Sequence, residues 1–335
     1  SYFDDLAIVL ITGATTPAAL NGEARVLSHT NNSIKFETDA PNGVAAGSIT
    51  IKFAPQGGWE KTYIGTNKAV YRSTDPKWSG HYLRVDDSST QAARVRGYEA
   101  MTDVDTGTGL YPTDVQISGG GYWYKSYNSS ASTTAIPYTW AADSMMLLVA
   151  IAAGVSYVAN YTGSPARGFG RPIVLSPAGD NWATLLSAQG NTAGSGNGGG
   201  LCGGGASSSI GMVAMERAFS GLGSCVYASQ RPMTGTSQTT SGADAWLGAA
   251  PSKYDGQLKL SEVVLTDTSG DATPRVLVPG LRYIPQSGVM TFVKQGDIFK
   301  GADGRNFVAI EWCADYTSSV SGVYALDITG PWRSV

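Results

Sequence analysis

The chain is built from short apolar runs and two-residue alternations, each closed by Gly, Pro, Asn or Asp. Residues 6–11 and 24–27 are apolar runs, Ile34 and Phe36 alternate with polar neighbours, and Asn-Gly and Pro punctuate the gaps. In "GSITIKFAP", Ile49, Ile51 and Phe53 fall on one strand face. A period of two sends successive side chains to opposite faces of a strand, and turn residues at such short intervals predict antiparallel β structure. The same pattern runs through "YLRVDD", "ARVRGYEA", "GGGYWYKSY", "LKLSEVVLTD" and "GRNFVAIEWCAD", where Phe307, Ala309 and Glu311 share one face and Val308, Ile310 and Trp312 the other. Helical spacing is rare. "DNWATLLSAQ", residues 180–189, predicts one short helix with Asp180 as its cap and Trp182 near Leu185 and Leu186. "MMLLVAIAA", residues 145–153, is about half the length a membrane helix needs and reads as a buried strand.

These elements predict an all-β fold: a small N-terminal β-domain over residues 1–55, followed by one or two antiparallel β-sandwich-like domains. One sandwich-like domain covers 56–189. A Gly-rich loop or linker at 190–208 then leads to a C-terminal β-rich region, 209–335, which can be continuous with the preceding domain. "GNTAGSGNGGGLCGGGASS" has few side chains to order it by packing, and it lacks the Lys-Ser/Thr ending of a phosphate loop.

Composition narrows the partners. The 335 residues carry 23 Lys plus Arg against 26 Asp plus Glu, and neither sign forms a block, so nothing resembles the basic stripe of a nucleic-acid tracker. Hydrophobic residues at 42% argue against general disorder. Cys202, Cys225 and Cys313 have no C-x-x-C spacing and read as reduced thiols, with a Cys202–Cys225 disulfide as the alternative.

The densest charge pattern is "YLRVDDSSTQAARVRGYEAMTDVDTGTG", residues 82–109. As strands, Tyr82, Arg84 and Asp86 face one way and Leu83, Val85 and Asp87 the other, while Arg94 and Arg96 oppose Val95. This is a charged hairpin surface ending in an Asp/Gly turn. Asp103 and Asp105 are the candidate ligands of a structural cation, although the full ligand series of an EF-hand is missing, and no other cofactor is implied. Glu99 with an Asp would be a carboxylate pair for glycan hydrolysis if their spacing suited it. Neither His29 nor His81 forms a catalytic signature, and "FSGLGS" is not a nucleophile elbow, so no triad can be assembled around Ser209, Ser220 or Ser224. The reading is non-enzymatic. Tyr122, Trp123 and Tyr124 supply the candidate glycan platform, with core packing as the bland alternative, and Arg282 with Tyr283 in "GLRYIPQ" is a candidate interface pair.

Several segments together resemble an uncharacterised family of tailed-bacteriophage virion structural proteins associated with the tail or baseplate. The first module is matched by "ITGATTPAALNGEARVLSHTNNSIKFETD" and "GSITIKFAP". The next is matched by "GWEKTYIGTNKAVYRS", "YLRVDDSSTQAARVRGYEAMTDVDTGTGLYPT" and "GGGYWYKS". "VLVPGLRYIPQ", "GRNFVAIEW" and "GVYALDITGPWR" carry the likeness close to the C-terminus. In that family further strand-rich sequence precedes the first module, so the resemblance implies an upstream portion. It also implies a symmetric homo-oligomer within the virion, assembled in the host cytoplasm and joined to other tail or baseplate proteins. Arg84, Arg94 and Arg96 are then the candidate polar contacts, and Trp123, Tyr283 and Trp332 the candidate aromatic ones. Alternatives are a host receptor- or glycan-binding tail module, a capsid decoration protein and a glycan-degrading tail enzyme.

Overall fold

The computed structural model describes the chain apart from residues 1, 2, 4, 91, 126–137, 152–165, 176–183, 191–199, 203–210, 218–222, 233–247, 268–272, 313–321, 334 and 335. It divides into two compact units, Ser1–Gly58 and Trp59–Val335. The all-β expectation is met in both: one four-residue helix and two single 3-10 turns interrupt 23 described strands.

In the first unit β1 (Ile8–Thr16), β2 (Gly22–His29), β3 (Ile34–Phe36) and β4 (Ala46–Phe53) form an antiparallel sheet in the order β3-β2-β1-β4. Alternation buries Val9, Ile11 and Val26 together, with Phe3, Ile34 and Phe36 packed against them. The β1–β4 register slips near Gly13, whose φ is +81° and where a Cβ would fall 2.2 Å from the Ser48 carbonyl oxygen. Only glycine fits there.

The second unit opens with β5 (Trp59–Gly65), β6 (Lys68–Ser73), β7 (Tyr82–Asp86) and β8 (Ala92–Tyr98). A small β9 (Ala100–Met101) and β10 (Gly107–Thr108) hairpin follows, then β11 (Gly121–Tyr124). Pairing runs β5-β6-β7-β8-β11, antiparallel throughout. The central strands are β12 (Tyr138–Ala142), β13 (Met146–Ile151), β14 (Ala166–Gly170), β15 (Ile173–Val174), β16 (Leu185–Gln189), β17 (Gly211–Met215) and β18 (Val226–Pro232). After them come β19 (Ser261–Asp267), β20 (Pro274–Tyr283), the helix α1 (Val289–Phe292), β21 (Ile298–Lys300), β22 (Asn306–Trp312) and β23 (Gly322–Asp327). The ladder branches twice. β16 pairs with β17, with β14 at Leu185 and Leu186, and with β11 at Gln189. β20 likewise pairs with β19, β15 and β23.

The central strands are apolar on both faces because both are covered. Met146, Leu148, Leu185, Val213 and Met215 enter one core with residues of β19, β20, β22 and β23. Leu147, Leu186 and Ala214 enter a second core with Trp59, Trp78, Leu83, Val95, Tyr111 and Trp123. This accounts for "MMLLVAI" as a strand. It also corrects the helix expected over 180–189: residues 185–189 form β16, each of them buried, with Leu185 and Leu186 in opposite cores. A helix would have set those two leucines on one side. Asp180 and Trp182 lie outside the described residues.

The strands flanking the Gly-rich stretch pair residue by residue, from Leu185↔Met215 to Gln189↔Gly211, so the chain on either side of it belongs to one sheet. Of that stretch, Leu201 and Cys202 are described and buried, with the Leu201 amide donating to the Ala166 carbonyl at 2.8 Å. Cys202 and Cys225 are both buried thiols rather than a disulfide, and Cys313 lies outside the described residues. No described helix is long and apolar enough to cross a membrane.

Candidate functional site

The charged hairpin forms where the alternation places it. Leu83 and Val95 point into the second core, leaving Arg84, Asp86, Arg94 and Arg96 on the opposite face of β7 and β8. Asp86 stands across from Arg94, but Arg84 stands across from Arg96, a like-charge pairing that is destabilising unless acids intervene. They do. Arg84 is buried; its Nε donates to the Val104 carbonyl at 2.8 Å and one terminal nitrogen to Asp105 at 2.6 Å. Arg96 donates to Asp114 at 2.5 Å. Arg94 lies 3.8 Å over the Tyr122 ring, donates to its hydroxyl, and reaches the carbonyls of Ser118 and, at 2.7 Å, Gly120. All three arginines, expected at an interface, therefore hold their own chain's loops.

The Asp/Gly turn is built the same way. Asp103 Oδ1 accepts the amides of Asp105 and Thr106 at 2.7 and 2.8 Å, and these bonds hold its carboxyl below the ordinary range. Asp105 accepts from Lys68 at 2.9 Å and from Arg84, with the same consequence. Turn amides and cations thus occupy both carboxylates proposed as cation ligands. Among the described residues no three His, Cys, Asp or Glu side chains gather in a metal-binding arrangement. Gly109 has φ +66°, whereas Gly107 serves close approach, since a Cβ there would fall 2.7 Å from the Ala100 carbonyl oxygen.

The aromatic candidates are placed inside. Trp123 is buried with Nε1 donating to the Ser187 carbonyl at 2.7 Å, Tyr283 is fully buried against Tyr324, and Trp332 is buried with Nε1 donating to Asp327 at 3.0 Å. Burial moves all three from an expected interface to the core. Tyr122 is engaged by Arg94, and the Tyr124 side chain lies outside the described ones, so the 122–124 platform presents no exposed aromatic pair among the described side chains. Arg282 pairs with Glu262 at 3.4 Å on the adjacent strand. Exposed aromatics lie elsewhere, among them Tyr138 and Trp140, two residues apart on β12, at 69% and 39% exposed.

The strongest chemistry sits at one end of the strands, in residues separated by up to 136 positions. His81, just before β7, is buried under Trp78 and Tyr111, with ring centroids 6.4 and 6.1 Å away. Its Nδ1 lies 2.6 Å from Thr184 Oγ1, just before β16, and 3.1 Å from Glu216 Oε2, just after β17. Arg217 donates from Nε to Glu216 at 3.3 Å and from a terminal nitrogen to Glu99, tying the two carboxyls together. Tyr111 lies fully buried beside Thr184, and burial raises its phenol well above the ordinary value.

The 3.1 Å contact has the spacing of an ion pair, but desolvation opposes both charges. Burial lowers His81 from 6.5 to about 4. Burial, followed by repulsion from Glu99, raises Glu216 from 4.5 to about 7. Between those values both groups are neutral, so the contact is not an ion pair. Glu99 and Glu216 share the Arg217 guanidinium through their Oε1 atoms. Sequence reasoning had His81 and Glu99 in view but did not join them to Glu216, because nothing local in "MERAF" signals a distant histidine. Compared with known proteins, the chain matches no family model and no curated sequence.

Proposed function

We propose that the chain is a non-enzymatic structural component of a tailed-phage virion, linking proteins in the tail tip or baseplate. The sequence resemblance supplies the setting, and the exposed edge of the first unit carries the structural support. All eight residues of β4 are exposed, with Ile49 and Ile51 at 37% and Phe53 at 53%. Among the described residues β4 pairs only with β1, so its outer edge offers a row of backbone donors and acceptors beside an apolar stripe. Soluble proteins blunt such edges, and assembling proteins use them for strand addition. Lys52 is the single charge on the strand. The second unit is consistent with the same reading, since its arginine ladder is spent on internal loops.

One observation favours a second reading. Tyr138 and Trp140 form an exposed aromatic pair on β12, which suits a receptor- or glycan-binding tail module.

Density imaging of intact particles of the encoding phage tests the proposal. The expected result is density for the chain at the tail tip or baseplate, with neighbouring protein against β4. Density on the head surface, or absence from particles, overturns it.

A further inference from the structure

We propose that Glu216 is a proton-operated latch: the proton on its carboxyl, which faces the His81 imidazole and shares the Arg217 guanidinium with Glu99, keeps the end of β17 docked on the entry to β16. Loss of that proton as pH rises releases the docked segment. The inference concerns the second unit and stands independently of any place in a virion.

The geometry requires the proton. Glu99 and Glu216 share one guanidinium, so ionising both sets two negative charges against a single cation, and Glu216 is the buried one, its side chain 6% exposed against 33% for Glu99. With Glu216 protonated, Glu99 and Arg217 balance each other and His81 is neutral. With Glu216 ionised, the same site holds two negative charges against one guanidinium. No well-aligned hydrogen bond reaches Glu216 Oε2 among the described residues, so the buried oxygen has little to stabilise a full charge. The remaining titratable groups facing the cluster are Tyr111 and Cys225, and burial raises both, to about 12 for the Cys225 thiol, so neither supplies charge near neutrality. Burial and Glu99 place the Glu216 proton loss at about 7.

The latch has a defined mechanical point. The Glu216 amide donates to the Thr184 carbonyl at 3.0 Å, and the Thr184 hydroxyl meets His81 Nδ1 and, at 3.2 Å, Ser79. The Trp78 and Tyr111 rings, both packed on Phe169, hold His81 from behind, so the segment that can leave is 216–217, carrying Glu216 outward.

Hydrogen exchange of the intact chain, followed by mass spectrometry of peptides covering 211–217, reads the opening. After correction for the intrinsic pH dependence of exchange, opening should grow on the order of tenfold or more between pH 5.5 and 7.5, because each pH step below the folded value costs the released state its proton. Glu216→Gln should remove that dependence. Glu99→Gln, at a partly exposed position, removes the main repulsion and should end the rise at lower pH. Opening that does not change with pH, or that rises equally in Glu216→Gln, overturns the proposal. So does a rise whose midpoint is unmoved in Glu99→Gln.

Discussion

Gly97→Ala is the substitution whose cost can be worked most directly from the structure. Gly97 in β8 and Tyr111 exchange both backbone hydrogen bonds, at 2.8 and 2.9 Å, so the Tyr111 ring lies flat over a residue with no side chain. A Cβ at 97 would fall 2.2, 2.3 and 2.7 Å from three ring carbons. No left-handed backbone is involved at Gly97, so the steric clash is the whole effect. Accommodating such overpacking by small shifts costs roughly 1–3 kcal/mol. Ejecting a buried tyrosine, with roughly 150–250 Å² of surface, forfeits about 4–6 kcal/mol. The paired backbones resist the small shifts, and Tyr111 also stacks on Phe169 at 6.5 Å, so the expected loss is about 3 kcal/mol or more. All eight tryptophans lie beyond residue 58, so urea unfolding followed by tryptophan fluorescence reports the second unit alone. Tyr111→Ala removes the obstructing ring. Adding Gly97→Ala to it should therefore cost little, leaving a coupling energy of about 2 kcal/mol between the sites. A Gly97→Ala variant within about 0.5 kcal/mol of the parent, or strict additivity of the two changes, would refute the argument.

Two further outcomes follow from the same packing. For His81 the unfolded chain binds the extra proton between pH 4 and 6.5, so its contribution to stability rises with pH across that window. For Glu216 the folded chain binds it between 4.5 and 7, so its contribution falls. The two cancel from 4.5 to 6.5, and Glu216→Gln should unmask His81 as a gain of about 3 kcal/mol between pH 4 and 6.5, read as urea midpoints, against a nearly flat parent. Gly280→Ala meets both a φ of +76° and the Trp332 indole at 2.4 Å; it should cost about 2–4 kcal/mol and release Trp332, checked by the unfolding midpoint and by acrylamide quenching.

The period-two pattern was enough to read the strands around 34–36, 82–86 and 92–98, because polar and apolar side chains alternate along each. Residues 185–189 were misread for the opposite reason. A strand buried on both faces has no polar alternation to reveal it, and two adjacent leucines beside a potential cap look helical. Trp123, Tyr283 and Trp332 show a second limit: an aromatic side chain packs equally well in a core or a contact, and only the partner strand decides. The acid cluster shows a third. His81, Glu99, Thr184 and Glu216 sit at strand ends that meet only once the β8–β11–β16–β17 ladder is formed, so no local spacing encodes them.

The hairpin surface that dominates the sequence by its charge is better understood as the means by which two loops are folded. Arg84 opposite Arg96 would be unfavourable as a bare pair. Asp105 from the 102–109 turn and Asp114 from the 113–120 segment are each drawn onto one of those arginines, and Arg94 fixes the latter segment again through the carbonyls of Ser118 and Gly120. The like charges thus create two anchoring points, and the acids that satisfy them arrive with their loops. That arrangement leaves this face few uncommitted charges, and it shifts the weight of recognition to what remains uncovered. On the first unit that includes the edge of β4, where backbone groups and Ile49, Ile51 and Phe53 stand open; on the second it includes the Tyr138–Trp140 pair of β12. β4 is the edge strand of its sheet, so a partner bound there would find hydrogen-bonding groups and apolar surface together.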